Sequence, residues 1–227
     1  MNKRYFAMTC ILAMAPALFA QRKEDERLMN SNTVLQAILA GDKGLSKHIL
    51  DEARCVLIFP GVKKVAVGIG GTYGRGDLVC RKGQKMAGAW GAPVMYSLDE
   101  GSLGVQLGST ETDFVLVVVK QAGVDQILNG KVKLGTNAAA AAGPTGAQAT
   151  AYTSDKMAAD ILTYSRTKGL FAGASLVGAS IDVDDDANKA LYGKEIGASD
   201  IVHGNTPIVP AAKNLVDFLN KTSPGGK

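Results

Sequence analysis

The sequence predicts an α+β domain in which a mainly antiparallel, glycine-rich β-sheet is flanked by N-terminal and C-terminal helices. Three observations favour this class. Helical spacing of apolar residues is confined to the two ends of the chain, whereas short apolar or alternating runs fill its middle. Those runs lie too close together for the helical crossovers that parallel strands require. No stretch resembles an interdomain linker, so we expect one domain.

The first twenty residues have the pattern of a signal peptide. Lys3 and Arg4 precede an apolar stretch, Tyr5 to Phe19, that closes on Ala20. This stretch is short for a transmembrane helix, which needs roughly 20 apolar residues, and charged residues follow at once. We therefore expect cleavage after Ala20 and export to a periplasmic, outer-membrane-associated or secreted location.

Residues 21–42 form a predicted N-terminal helical segment, and residues 43–227 form the predicted main domain. Within Lys23 to Ala40, apolar residues recur at helical spacing along one stripe. They are Leu28, Val34, Leu35, Ile38 and Leu39. The glycines of residues 41–44 end this helix, and a second short helix is predicted from Leu45 to Ala53.

Strands are predicted next. Val56 to Phe59 is an apolar run that Pro60-Gly61 stops, and Phe114 to Val119 is a run typical of a strand buried on both faces. Val65 to Gly70 and Leu103 to Gly108 each alternate large side chains with glycine or other small residues. Glycine inside a strand marks a bulge or a close approach of backbone or ligand, and we favour packing of backbone.

The second half of the chain continues as short elements. Ala138 to Ala142 is compatible with a helix or with a strand of small residues. Ile161 to Arg166 and Ala172 to Ile181 are predicted strands around a turn at Lys168-Gly169.

Two further helices complete the prediction. Val124 to Leu128 predicts a short helix that Asn129-Gly130 ends. The last helix is predicted with Thr206 as its cap and Pro207 in its first turn.

Residues for catalysis are scarce, and we expect neither an enzyme nor a cofactor. The chain has two histidines, His48 and His203, and lacks the common zinc-protease, hydrolase and thiol-redox motifs. The glycines between positions 68 and 76 are followed by a predicted strand, whereas a phosphate-binding loop requires a helix there. Asp182, Asp184 and Asp186 begin like a calcium loop, but the later ligands are missing, which favours a turn in which Asp186 caps a helix.

Two cysteines lie in the predicted mature chain. Cys55 and Cys80 would reach a compartment that permits disulfides. Sequence alone leaves open a bridge between them or two buried thiols on neighbouring strands, because it gives no Cα distance.

The net charge gives no bulk attraction to nucleic acid or to anionic lipid. It is +4 for the whole chain and +2 without Lys3 and Arg4, from 23 cations and 21 carboxylates. Any anion-binding surface must therefore be local. The densest polar cluster runs from Tyr164 to Phe171, where Arg166 and Lys168 suit a phosphate, and Leu170 and Phe171 suit an acyl boundary. Alternatively, Arg166 pairs with an acidic neighbour and Phe171 fills the core.

The same segment belongs to an ordered set of motifs that covers roughly residues 43–193. These include Phe59-Pro60-Gly61, Gly70-Gly71, Trp90, Gln106-Leu107-Gly108, Gly143-Pro144, Tyr164-Ser165-Arg166, Lys168-Gly169-Leu170-Phe171, Asn188 and Tyr192. In this order the motifs resemble the SYLF domain, a family of bacterial secreted modules and of eukaryotic proteins at endocytic membranes.

The resemblance implies a non-enzymatic phospholipid-binding protein, and in some fungal members an interaction with actin. For an exported chain it indicates docking on anionic membrane surfaces of the cell envelope, with Tyr164, Arg166, Lys168, Leu170 and Phe171 as the lipid-binding residues. The alternatives are a structural or assembly protein that binds another envelope protein, actin-like binding by family analogy, or an internal lipid carrier. No nucleic-acid partner is expected.

Overall fold

The computed structural model describes residues 5–41, 44–67, 69–103, 108–145, 159–167, 170–173, 176 and 178–225. Within these ranges the chain forms six α-helices and nine strands. The helices are α1 (Tyr5–Ala40), α2 (Lys47–Asp51), α3 (Gln121–Leu128), α4 (Asp185–Tyr192), α5 (Ala198–His203) and α6 (Lys213–Thr222). The strands are β1 (Cys55–Val67), β2 (Ile69–Arg81), β3 (Trp90–Leu103), β4 (Gly108–Val118), β5 (Val132–Lys133), β6 (Ala140–Ala142), β7 (Ile161–Thr167), β8 (Leu170–Gly173) and β9 (Ser180–Val183).

All nine strands belong to one sheet, and the predicted fold class is confirmed. The strand order is β5-β9-β3-β2-β1-β4-β7-β6, with β8 also paired to β7. Every pairing is antiparallel except that between β6 and β7. This arrangement follows from the short connections of the sequence, which allow hairpins and leave little room for crossovers.

The sheet is buried on both faces, which explains the continuous apolar runs of its central strands. Because side chains alternate along a strand, Val56 and Ile58 of β1 enter one core cluster, whereas Leu57 and Phe59 enter the other. The first cluster also receives apolar residues of α1, α4 and α6, and the second receives those of α3 and α5. Helices therefore cover both sides of the strands that carry the core.

Helix α1 is longer than the predicted N-terminal segment. It runs from Tyr5 to Ala40 and passes without a break through Ala20, where cleavage of the signal peptide is predicted. The predicted stripe is buried, since Leu28, Leu35 and Ile38 are fully enclosed. In the part of the chain that the structure describes, no helix has an apolar stretch long enough to cross a bilayer.

The prediction that Pro60-Gly61 stops the first strand is wrong. Strand β1 continues through these residues by a bulge, where its register shifts against both β2 and β4. Gly61 has φ +56°, a left-handed conformation that glycine adopts without strain, and its N–H donates to Asp113 Oδ1 at 2.8 Å. The bulge bends the strand and keeps it in the sheet.

One prediction for the second half is resolved and one is corrected. Ala140 to Ala142 forms a strand, which removes the helical alternative. The predicted strand from Ala172 to Ile181 is instead two strands in different parts of the sheet, because β8 pairs with β7 and β9 pairs with β3. Most of the glycine-faced segments at Val65 to Gly70 and Leu103 to Gly108 lies outside the described side chains.

Two predicted helix starts are also wrong. The last helix follows a 3₁₀ turn that begins at Pro210, and Thr206 Oγ1 instead donates to Asp200 O near the end of α5 at 3.3 Å. Helix α4 is capped by Asp184, whose Oδ1 accepts from Ala187 N at 3.1 Å, rather than by Asp186. In both cases several residues in a row can cap or begin a helix, and tertiary contacts select among them.

Cross-links and side chains secure the sheet along its length. Cys55 and Cys80 are register partners on β1 and β2 and are joined by a disulfide, with an S–S distance of 2.07 Å. Beyond β9, Asn188 of α4 binds the backbone of β3, because its Oδ1 accepts from Met95 N at 2.8 Å and its Nδ2 donates to Met95 O at 3.2 Å. Nearby, Tyr192 donates its hydroxyl to Pro93 O.

Candidate functional site

Arg166, the predicted phosphate ligand, is held by an acidic neighbour. It lies on β7 opposite Asp113 of β4, whose Oδ2 accepts from Arg166 Nε at 2.9 Å and from its terminal nitrogen at 2.5 Å. The other oxygen of Asp113 accepts from Gly61 N. One carboxylate thus fixes both the bulge of β1 and the guanidinium, and only 26% of the Arg166 side chain is exposed. This is the alternative role that the sequence left open for Arg166.

The other residues predicted for the lipid site are placed unequally. Tyr164 is a core residue, 1% exposed, and its hydroxyl donates to Pro144 O at 3.3 Å. It therefore does not present a surface to a membrane in this conformation. Lys168 lies outside the described residues. Leu170 and Phe171 pair through their backbones with Thr167 and Arg166, and their side chains lie outside the described set.

A cationic groove lies at the bulge, between α1 and the hairpin of β1 and β2. We define it by its lining residues and call it the α1 groove. It has a volume of about 400 Å³ and is lined by Lys23, Glu26, Arg27, Asn30, Pro60, Gly61, Lys63, Tyr73, Gly74 and Arg75. Four cations thus face one carboxylate.

Local sequence explains the shape of the α1 groove. Lys23, Arg27 and Asn30 stand at i, i+4 and i+7 of α1, which places them on one side of the helix. On the sheet, a Cβ at Gly74 would come within 2.7 Å of Val62 Cγ2. A side chain at Gly74 would therefore push the two strands apart beside the groove.

Two lysines carry the uncompensated charge of the α1 groove. Arg75 pairs with Asp184 Oδ2 at 2.8 Å and Arg27 pairs with Glu24, so both arginines have a carboxylate partner. Lys23 and Lys63 are exposed and make no ion pair with any residue that the structure describes. They are the groups most available to an anion.

Tyr73 adds an amphipathic side chain to the groove. It is 48% exposed, and its hydroxyl accepts a hydrogen bond from Arg75 Nε. The Arg75 guanidinium carbon lies 5.9 Å from the centre of the Tyr73 ring. Tyrosine combines a polar hydroxyl with an apolar ring, and it is therefore typical of membrane interfaces.

The helix that forms one wall of the α1 groove rests on a buried carboxyl group. Asp77 of β2 is fully buried, and its Oδ1 accepts from Ser31 Oγ of α1, which is also fully buried. Its Oδ2 has no hydrogen-bond partner among the described residues. Burial raises the pKa of Asp77 to about 7, although the Ser31 hydrogen bond and the charge of Arg27 oppose the shift.

A second buried carboxyl group, which belongs to α1 itself, also has a raised pKa. Glu24 is 5% exposed, and burial raises its pKa, whereas the charge of its partner Arg27 lowers it. Glu24 and Ser31 occupy the same stripe of α1 as Leu28, Leu35 and Ile38. The sequence carried a signal of this polar contact, since two polar residues stand at positions of an otherwise apolar stripe.

The described residues offer little for metal binding or catalysis. No three His, Cys, Asp or Glu side chains among them converge on one point. His48 lies on α2 and His203 on α5. The alternating aspartates near α4 are used locally, because Asp184 caps the helix and pairs with Arg75.

Comparisons with known proteins identify the family of the chain. The family model described as Ysc84, Las17-binding protein actin regulator, matches residues 99–222. The SH3 domain-containing protein PJ696.02 of Schizosaccharomyces pombe is 31% identical over 207 residues, which are 90% of this chain and 47% of that protein.

Two further relatives are similar over almost the same length. Protein YSC84 of Saccharomyces cerevisiae is 29% identical over 89% of this chain and 43% of its own. The human SH3 domain-containing YSC84-like protein 1 is 26% identical over 89% of this chain and 58% of its own. The chain thus spans about half the length of these curated relatives, and none of the three names denotes an enzyme.

Proposed function

Because this chain belongs to the Ysc84/SYLF domain family, we propose that it is a non-enzymatic protein that docks on anionic phospholipid surfaces through its α1 groove. The observation that supports this proposal is the pair of exposed lysines, Lys23 and Lys63, that face the groove without a carboxylate partner in the described chain. Cleavage after Ala20, which we also propose, leaves every groove residue in the exported chain, since Lys23 is the first of them.

The charges of the two lysines give the expected strength of membrane binding. Each lysine close to an anionic membrane contributes about 1 kcal/mol, and the contribution falls off within a Debye length. That length is about 10 Å at 0.1 M salt and about 3 Å at 1 M. Tyr73 adds a ring suited to the headgroup level. The groove therefore supports salt-sensitive, reversible docking.

Co-sedimentation of the exported chain, residues 21–227, with vesicles tests the proposal. We expect binding to phosphatidylcholine vesicles that contain phosphatidylglycerol, at low salt only, and none to phosphatidylcholine alone. Changing Lys23→Gln and Lys63→Gln together is expected to weaken this binding on the order of thirtyfold, since about 2 kcal/mol is removed. No binding to either vesicle would refute phospholipid docking.

A matched control separates the groove from bulk charge. Lys131→Gln with Lys221→Gln removes two exposed lysines outside the groove. This variant has the same net charge as the variant that lacks Lys23 and Lys63. We expect this variant to bind like the wild type. Equal losses in both double variants would show that net charge, rather than the α1 groove, attracts the membrane.

The segment from Tyr164 to Phe171, which the sequence predicts as the lipid-binding site, is a second place where the same membrane could be contacted. Lys168, Leu170 and Phe171 stay proposed contacts there, whereas Arg166 is held by Asp113. Leu170→Ala with Phe171→Ala in the same vesicle assay reports on the apolar part of that surface. Retained binding in this variant, beside a loss in the lysine variant, would assign docking to the α1 groove alone.

A protein partner is the second candidate function, and the description of the matching family favours it. That description names a Las17-binding protein and actin regulator. An acidic protein surface would meet the same uncompensated lysines. Co-sedimentation with actin filaments in the absence of lipid distinguishes the two functions, because the Lys23 and Lys63 variant would then lose filament binding whether or not vesicles bind.

A further inference from the structure

The α1 groove exists only while α1 lies on the sheet. One wall consists of side chains of α1, namely Lys23, Glu26, Arg27 and Asn30, and the other consists of β1 and β2. Loosening of the turns of α1 that contain these four residues would therefore separate Lys23 from Lys63. The contacts that hold this part of α1 control whether the two lysines act together.

The central polar contact beneath that wall is the one between Ser31 and Asp77. Both residues are fully buried, and a single hydrogen bond joins them. The second oxygen of Asp77 is enclosed without a partner in the described chain. A protonated carboxyl tolerates such a place far better than a carboxylate, because a buried charge without compensation is expensive.

The charged and titratable groups around Asp77 come from two of the elements packed against it. Arg27 of α1 acts on it as a cation, and Tyr192 of α4 faces it as a neutral phenol whose pKa burial raises. The register partners on β1 and β3 are uncharged, being Ile58 and Met95. Arg27 is paired with Glu24, which weakens its support for a carboxylate at Asp77.

We propose that the protonation state of Asp77 controls how firmly the part of α1 from Lys23 to Ser31 is seated on the sheet, so that the α1 groove is complete at acidic pH and loses its α1 wall above neutral pH. The consequence for membranes rests on the proposed docking function, whereas the movement of α1 does not. The raised pKa of Asp77 supports the direction. The seated state binds the proton more tightly than the unfolded state, so the stabilisation is full below about pH 4 and is lost as the pH rises through about 7.

The raised pKa of Glu24 acts in the same direction. Burial on the sheet favours its protonated form, so acid also strengthens this second polar contact of α1. Glu24 lies near Arg75 and Asp184, whose charges influence its pKa in opposite directions. Asp77 and Glu24 therefore both favour the contact of α1 with the sheet at low pH.

Hydrogen–deuterium exchange of the full chain without lipid tests the proposal directly. After correction for intrinsic rates, we expect the amides of residues 24–33 to lose protection at least about tenfold between about pH 5.5 and about pH 8.5, since one pKa unit corresponds to a factor of ten. Asp77→Asn keeps the shape and the acceptor for Ser31 but cannot ionise. We expect this variant to lose most of the pH dependence, with only the smaller contribution of Glu24 left.

Two further variants keep the test decisive. His48→Gln changes a residue of α2, outside the contact between α1 and Asp77, and we expect it to retain the pH dependence of the wild type. Ser31→Ala keeps Asp77 ionisable, so protection should be lower throughout and still fall with pH. Equal protection of residues 24–33 at both pH values in the wild type, or pH dependence in Asp77→Asn as large as in the wild type, would overturn the proposal.

Vesicle binding at the two pH values separates this inference from the proposed function. If exchange follows the expected pattern but phosphatidylglycerol vesicles never bind, the movement of α1 stands and phospholipid docking fails. If vesicles bind while exchange is independent of pH, docking stands and the control by Asp77 fails. When both hold, anionic vesicles bind more tightly at the lower pH, and Asp77→Asn removes most of that difference.

Discussion

The two parts of the buried stripe of α1 contact the sheet in different ways. Leu35 and Ile38 in the second part are fully buried in the core cluster that also contains Leu215 and Leu219 of α6. The first part alternates polar and apolar contacts, and its Ser31 meets the buried Asp77. Apolar burial is independent of pH, whereas a buried carboxyl is not. One helix can therefore be anchored permanently at one end and adjustably at the other.

The largest expected effect tests the permanent anchor. Ile38→Ala removes a fully buried side chain and should lower the free energy of unfolding by about 2–5 kcal/mol. The loss should be equal at acidic and mildly alkaline pH, because no charge is involved. Urea denaturation at both pH values measures it. A loss confined to one pH would contradict the division between the two parts.

The second effect tests the adjustable contact through global stability. Asp77→Asn should make the protein more stable than the wild type above pH 7, by a few kcal/mol and at most about 4, from a pKa raised from 3.8 to about 7. The two proteins should converge toward pH 4, where the wild-type carboxyl is protonated. Urea midpoints across this range give the comparison. A variant that is less stable than the wild type at every pH would contradict it.

The smallest effect concerns the single hydrogen bond between the helix and the carboxyl. Ser31→Ala leaves Asp77 buried without its donor and should lower stability by about 1–3 kcal/mol. Thr33→Ala is the matched control, since the Thr33 hydroxyl is exposed and bonds only within α1, to Met29 O. We expect a change within about 0.5 kcal/mol for the control. Equal losses would mean that removing a hydroxyl anywhere on this helix, rather than breaking the buried contact, explains the result, since alanine itself favours the helix.

Much of the fold follows from patterns that are local in the sequence. The stripe of α1 and the doubly buried run from Phe114 to Val119 needed only their own spacing to be recognised. The bulge at Pro60-Gly61 was not recognised, because a proline followed by glycine normally ends a strand. Its continuation depends on Asp113, which lies 52 residues away and satisfies the N–H of Gly61.

The candidate site was harder to predict than the fold. The α1 groove brings Lys23 of the helix beside Lys63 and Arg75 of two strands, and no spacing in the sequence indicates that these residues meet. Arg166 stands in the most polar cluster of the chain, yet its charge is used inside the fold by Asp113. A dense cluster of polar residues shows that charge is present, but only tertiary contacts show which charges remain available.

The side-chain clamp of Asn188 on Met95 has a consequence for self-association. Strand β9 pairs only with Tyr96 to Asp99, so the outer backbone of β3 next to it would otherwise offer free hydrogen-bonding groups to another chain. Asn188 bonds both groups of Met95, whose C=O also accepts from Asp184 N at 3.0 Å, and Pro93 nearby has no N–H to offer. The amide thus takes the place of an additional strand and protects this edge from the intermolecular strand addition that leads to aggregation.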